Sequence, residues 1–209
     1  MRKATRALSE VLGEFIKERI TEALAEVLLA ASRKGRISFE EVRRIAGEEA
    51  EEVLLVAYQW RLLVPERTSK ESMEWEDGIL GTRPEESYKM PNVISLLVEE
   101  AGRSGCWEPD KAVAEIFRRM GEPEWACIPK LLELLRARAV NNKISAEEIK
   151  EACRELGLAE RTDPLIAELK ASGIISPVMT SLFEAILRRS PVYELNPSLI
   201  KSSSKPSRR

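Results

Sequence analysis

The chain has 209 residues, of which 44% are hydrophobic and 33% charged, with a net charge of -2; this is the make-up of a folded protein that can bury a core unaided and has no general attraction for polyanions. Histidine is absent, which removes the commonest general base and the commonest metal ligand together. The cysteines Cys106, Cys127 and Cys153 stand far apart and form no C-x-x-C pair, so they read as reduced thiols rather than as a zinc or redox site.

No apolar stretch approaches the roughly 20 residues of a membrane span, and Met1 to Arg6 run into an amphipathic segment instead of a signal-peptide core, so the expected location is the cytoplasm. Glutamine occurs once, at Gln59, amid abundant Glu, Lys and Arg, a thermophile-like composition.

From the N-terminus, Leu8, Val11, Leu12, Phe15, Ile16, Ile20, Leu24, Val27 and Leu28 recur at spacings of three and four. The spacing predicts one long amphipathic helix from Leu8 to Ala31, ended by Gly35. Ser38 to Glu41 form a capping box that opens a short helix to Gly47. A third helix is expected over about 48–62, followed by a strand at Leu63-Val64-Pro65, a polar loop or hairpin from Glu66 to Glu86, and a returning strand from Ser87 to Met90.

Asn92 then caps a helix to about Gly102, Pro109 opens another that stops at Gly121, and Pro123 and Pro129 open a helical stretch to about Val140. Ser145 to Glu148 repeat the capping box, a helix runs to Gly157, and Asp163-Pro164 open one that ends at Gly173. The strands of a second hairpin are expected at Ile174 to Pro177 and Val192 to Leu195, and the basic tail after Lys201 reads as disordered.

The two halves match each other in sequence. Leu24, Glu26, Val27, Leu28 and Ala30 align with Leu131, Glu133, Leu134, Leu135 and Ala137. At the same offset Ile37-Ser-x-Glu-Glu-Val-Arg aligns with Ile144-Ser-x-Glu-Glu-Ile-Lys, and after small length changes Leu63-Val64-Pro65 pairs with Ile175-Ser176-Pro177 and Tyr88 with Tyr193. Caps, turns and strands recurring in one order point to an internal duplication.

Both halves resemble winged helix-turn-helix domains, over roughly 8–91 and 129–200. The expected fold is mostly α with small β wings, two tandem winged-helix domains joined by a helical connector: 1–91 for the N-terminal helix and first module, 92–128 for the connector, 129–200 for the second module and 201–209 for the tail. The resemblance implies binding of double-stranded DNA through the third helix and the wing, as in a transcription-related factor; the same fold also serves as a protein-docking module.

Charge divides between these uses. The net charge is +3 over 1–36 and -6 over 37–91 (seven basic and thirteen acidic residues), then -1 over 92–140 and +2 over 141–209. The first module's third helix opens with Glu48, Glu49, Glu51 and Glu52, which oppose phosphate. Its outward face is expected to hold Glu52, Leu55, Val56 and Gln59, and together with Trp75 in the wing these are the candidate partner-binding residues.

In the second module Thr162 and Lys170 are expected to face outward, and with Arg188 and Arg189 in the wing and Lys201 and Lys205 in the tail they are the candidate DNA contacts. Leu8, Leu12, Phe15, Ile16 and Ile20 lie ahead of the duplicated region and suggest a homodimer seam. No phosphate-binding glycine loop or nucleophile elbow is present, and carboxylate pairs such as Glu40 and Glu41 diverge on a helix, so no enzyme, cofactor or metal is expected. The leading expectation is a DNA-binding protein, with a tandem protein-protein adaptor as the alternative.

Overall fold

The computed structural model describes residues 2–16, 19–67, 74–75, 78–178 and 190–200. Among the described residues the chain is mostly helical with two small antiparallel sheets. After helix α1 (Arg2–Leu12), the first half contains α2 (Thr21–Ser32), β1 (Arg36–Ser38), α3 (Phe39–Ala46), α4 (Ala50–Gln59), β2 (Val64–Pro65) and β3 (Ser87–Lys89). Two helices follow, α5 (Asn92–Ser104) and α6 (Pro109–Met120). The second half repeats the order with α7 (Ile128–Arg138), β4 (Lys143–Ser145), α8 (Ala146–Glu155), α9 (Thr162–Ser172), β5 (Ile175–Pro177) and β6 (Val192–Leu195).

The repetition reaches individual bonds. The Ser38 hydroxyl accepts from the Glu41 amide at 3.2 Å, and Ser145 accepts from Glu148 at the same distance; each glutamate reaches back to its serine's amide. Both capping boxes therefore cover orphan amides at the helix start. At the far end of α4, Leu62 N donates to Ala57 O at 2.8 Å, and beyond α9 Ile174 N donates to Leu169 O at 2.9 Å. These bonds close both third helices with a residue in the left-handed region, Arg61 (φ 51°) in one half and Gly173 (φ 79°) in the other.

The sheets are equally matched. Their orders are β1-β3-β2 and β4-β6-β5, so the last strand of each half is central. Tyr88 lies between Ile37 and Pro65, and Tyr193 between Ile144 and Pro177. Glu66 N donates to Ser87 O and Val178 N to Val192 O, which places Pro65 and Pro177 at positions where an edge strand needs no inward N–H. Strands β1 and β4 were outside the sequence expectation: Arg-Ile-Ser and Lys-Ile-Ser carry one apolar residue each, too few to show a period of two.

The expected long helix from Leu8 to Ala31 is corrected to two, α1 and α2. Gly13 is the poorest helix former in that stretch, and breaking there lets α1 fold back against α2 and α5, with Ser9 Oγ 3.3 Å from Thr21 Oγ1. The proposed dimer seam is corrected with it: Leu8, Leu12, Ile16 and Ile20 are buried inside the chain, and half-buried Phe15 stacks edge-on against Trp60 at 5.1 Å and lies 5.4 Å from Trp107. The stripe that suggested a second copy is covered by the chain's own helices. Buried side chains from both halves and from α5 and α6 form one continuous core.

Candidate functional site in the cleft between the halves

The halves meet through polar groups as well as apolar ones. Arg61, held in the left-handed conformation after α4, points its guanidinium at Glu194 on β6, with Nε to Oε1 at 3.0 Å and Nη2 to Oε2 at 3.2 Å. Both side chains are 12% exposed. The guanidinium also lies 4.4 Å from the Tyr58 ring centre and donates to Tyr58 O, so its charge is balanced by a carboxylate, a carbonyl and an aromatic face.

Asn196 is fully buried, and its Nδ2 donates to Arg61 O at 3.2 Å and to Gly173 O at 3.3 Å. One amide thus ties together the equivalent left-handed residues of the two halves. Its Oδ1 accepts from Ser198 N and Oγ, which completes its bonding. Gly173 is required twice over, because its φ is positive and an added Cβ would stand 2.4 Å from Pro91 Cβ. Asn92 Nδ2 donates to Ala171 O, and Trp107 Nε1 donates to Ser198 O.

Beside this joint lies a cleft of about 770 Å³. The first half contributes Val64, Pro65, Glu66, Glu74, Trp75 and Lys89, and the second contributes Ala167, Lys170 and Ala171 from α9 with Ile175 to Pro177 from β5. Trp75 is pinned across the cleft by its amide, which donates to Ser176 Oγ at 3.1 Å, while its carbonyl accepts from the Tyr58 hydroxyl at 2.6 Å. A smaller pocket of about 350 Å³ lies where α8 turns into α9, lined by Lys150, Arg154, Glu160, Thr162 and Asp163.

Glu52, Leu55 and Gln59 are exposed on one face of α4, with Leu55 at 47%. Val56 is corrected to a buried position: α4 packs against α2, α3 and β2, so its covered arc spans about 160° at 100° per residue and takes in Val56 as well as Ala50, Val53, Leu54 and Ala57. Trp75 is corrected likewise, from an exposed anchor to a buried residue whose backbone amide bonds Ser176 of the second half. Thr162 is buried too, because its hydroxyl turns back to donate to Ala159 O at 2.8 Å. Lys170 is exposed and lines the cleft, whereas Arg188, Arg189, Lys201 and Lys205 lie outside the described residues.

The joint itself left little trace in the sequence. Arg61 and Glu194 are 133 positions apart, and Asn196 follows a strand with no local signal. The duplication offered a clue, since Lys89 occupies in the first sheet the register position that Glu194 holds in the second.

A second charged cluster links the turn after α6 to α9. Glu122 has no side-chain exposure and accepts from Arg161 and from the Glu124 amide. Desolvation opposes its charge, yet the Glu124 amide, Arg161 and Glu168 together hold its carboxyl below the usual range. Glu168 is pushed up, first by burial and then by the neighbouring Glu122. Among the described residues no cluster of three metal-ligating side chains occurs, and no helix is long and apolar enough to cross a membrane.

The chain belongs to a protein family whose profile spans residues 6–205, and so takes in both halves and the helices between them. No curated protein and no solved structure matches it.

Proposed function

We propose that the chain is a tandem winged-helix adaptor that docks protein, acting in the cytoplasm as a binding protein without catalysis of its own. Each half has the helix, strand, helix, helix, strand, strand order of a winged helix, with the third helix closing on a three-stranded sheet. The observation that carries the adaptor reading is the placement of α9. Its outward residues Ala167, Lys170 and Ala171, the surface a duplex would have to reach, face the first half across the cleft.

Charge supports the same reading. The start of α4 carries exposed Glu48, Glu49, Glu51 and Glu52, and the start of α9 carries exposed Glu160 and Asp163. Carboxylates at both helix N-termini complement the helix dipole and repel phosphate. The DNA reading keeps one favourable observation: Lys150 and Arg154, one turn apart on α8, are exposed at the mouth of the smaller pocket.

Isolation of the tagged chain from its own cells, with and without nuclease, separates the two. Under the adaptor reading bound proteins stay on the chain after nuclease; their complete release by nuclease would place nucleic acid at the centre of the complex instead.

A further inference from the structure

We propose that the cleft between the halves takes up an extended, uncharged segment of a partner protein by strand addition, the segment's main chain pairing with Ile175 on the open edge of β5. The inference rests on the adaptor reading and names its site and the chemistry of its partner. The cleft continues the joint between the halves, because the main chain of Trp75 already reaches across it to bond the Ser176 side chain on β5. Its volume of about 770 Å³ lies within the range of sites that enclose a ligand of a few residues, and is far below what a duplex needs.

The register of the second sheet leaves this edge open. Val178 N donates to Val192 O and Asn196 N to Ile174 O, so Ile174, Ser176 and Val178 pair inward with the β6 side and Ile175 turns its N–H and C=O away from it. Ile175 is 1% exposed and lines the cleft, yet its amide has no partner among the described residues. A buried amide left unpaired is rare, and a docked main chain supplies the missing acceptor. Pro65 and Pro177, the other outward positions of β2 and β5, have no N–H. One residue of the segment is therefore held at Ile175, which fixes the register of the added strand.

The walls set the side chains that such a segment carries. On the α9 side Ala167 and Ala171 are exposed one turn apart, so a main chain can approach closely there. The first half adds an apolar surface in Trp75 and Pro65. Charged residues of both signs line the cleft in equal number, Lys89 and Lys170 with Glu66 and Glu74, and this balance favours neither an acidic nor a basic occupant. The segment that fits is uncharged, with β-branched or aromatic residues that keep a chain extended.

The test is selection from a displayed library of random short segments on the wild-type chain, followed by synthesis of the enriched sequences with each amide N-methylated in turn. Uncharged, β-prone sequences should be enriched, and N-methylation at the residue that donates to the Ile175 carbonyl should weaken binding at least about tenfold. This readout leaves the protein untouched. Ala171→Trp, at an exposed position that should melt with the wild type, fills the cleft and should weaken binding at least as much. No enrichment, or enriched sequences whose binding no N-methylation changes, overturns strand addition at β5. Enriched sequences that ignore Ala171→Trp but are lost on Leu55→Glu would move docking to the exposed face of α4, ending the cleft proposal while leaving the adaptor reading intact.

Discussion

Arg61 and Glu194, from opposite halves of the chain, form a two-pronged ion pair at 3.0 and 3.2 Å while Arg61 keeps the left-handed backbone that Gly173 has at the equivalent position. A side chain at positive φ costs on the order of 1 kcal/mol, and glycine would remove that cost. Arginine stands there with its guanidinium joining the halves. At 12% exposure for each partner, removing one side strands a buried charge.

Arg61→Ala and Glu194→Ala should each lower stability by about 3–5 kcal/mol, and the double substitution should cost less than the two added together. Urea unfolding of the four proteins reads the coupling directly. Simple additivity would mean that the pair contributes no interaction of its own.

Gly173→Ala should be far more damaging than Gly35→Ala. Both glycines have positive φ, but a Cβ at Gly35 meets nothing within 4 Å whereas one at Gly173 meets Pro91 at 2.4 Å. The backbone term alone is about 1 kcal/mol, so the excess measures the close approach of the halves. Thermal melts of both variants, and of Gly173→Ala combined with Pro91→Gly, should show the excess shrinking when the opposing Cβ is removed.

Asn196→Ala should cost about 2–4 kcal/mol, since it leaves the carbonyls of Arg61 and Gly173 and the donors of Ser198 to find new partners in a buried site. Amide hydrogen exchange should then rise in the residues of both halves near the joint. A rise confined to the second half would show that Asn196 does not link the two.

The Glu122, Arg161 and Glu168 cluster makes stability depend on pH. Because burial and Glu122 raise the folded pKa of Glu168, its contribution is complete below the unfolded carboxyl pKa and is lost as pH rises through the raised value. Glu122, held low, contributes above the unfolded pKa and loses that contribution as pH falls through its lowered value. Glu168→Gln removes the second charge beside Glu122, so it should melt above the wild type at neutral pH and lose that advantage in mild acid. An equal shift at all pH values would contradict a raised Glu168 pKa.

Local signals were legible and long-range ones were not. Ser38 and Ser145 announced their helices because a capping box is written in four consecutive residues, and the turns at Gly35 and Gly173 announced themselves by residue type. The cleft was half visible: Lys170 and Trp75 were singled out, but as surface residues with separate partners. Trp75 and Val56 were misplaced for one reason, that periodicity in a single helix or the polarity of a loop does not reveal a second covering element. Leu55→Glu and Val56→Glu make the point measurable: the first should change stability by less than about 0.5 kcal/mol and the second should unfold the first half.

Whether this chain docks protein and not nucleic acid is decided by fluorescence anisotropy of a labelled mixed-sequence duplex titrated with the protein at low and at physiological salt. No saturable rise is expected at either salt, because both third helices open with carboxylates and the outward face of α9 is turned into the cleft. Tight binding at low salt that weakens steeply as salt is raised would contradict it and return the α8 to α9 surface, with Lys150 and Arg154, to the position of a DNA contact.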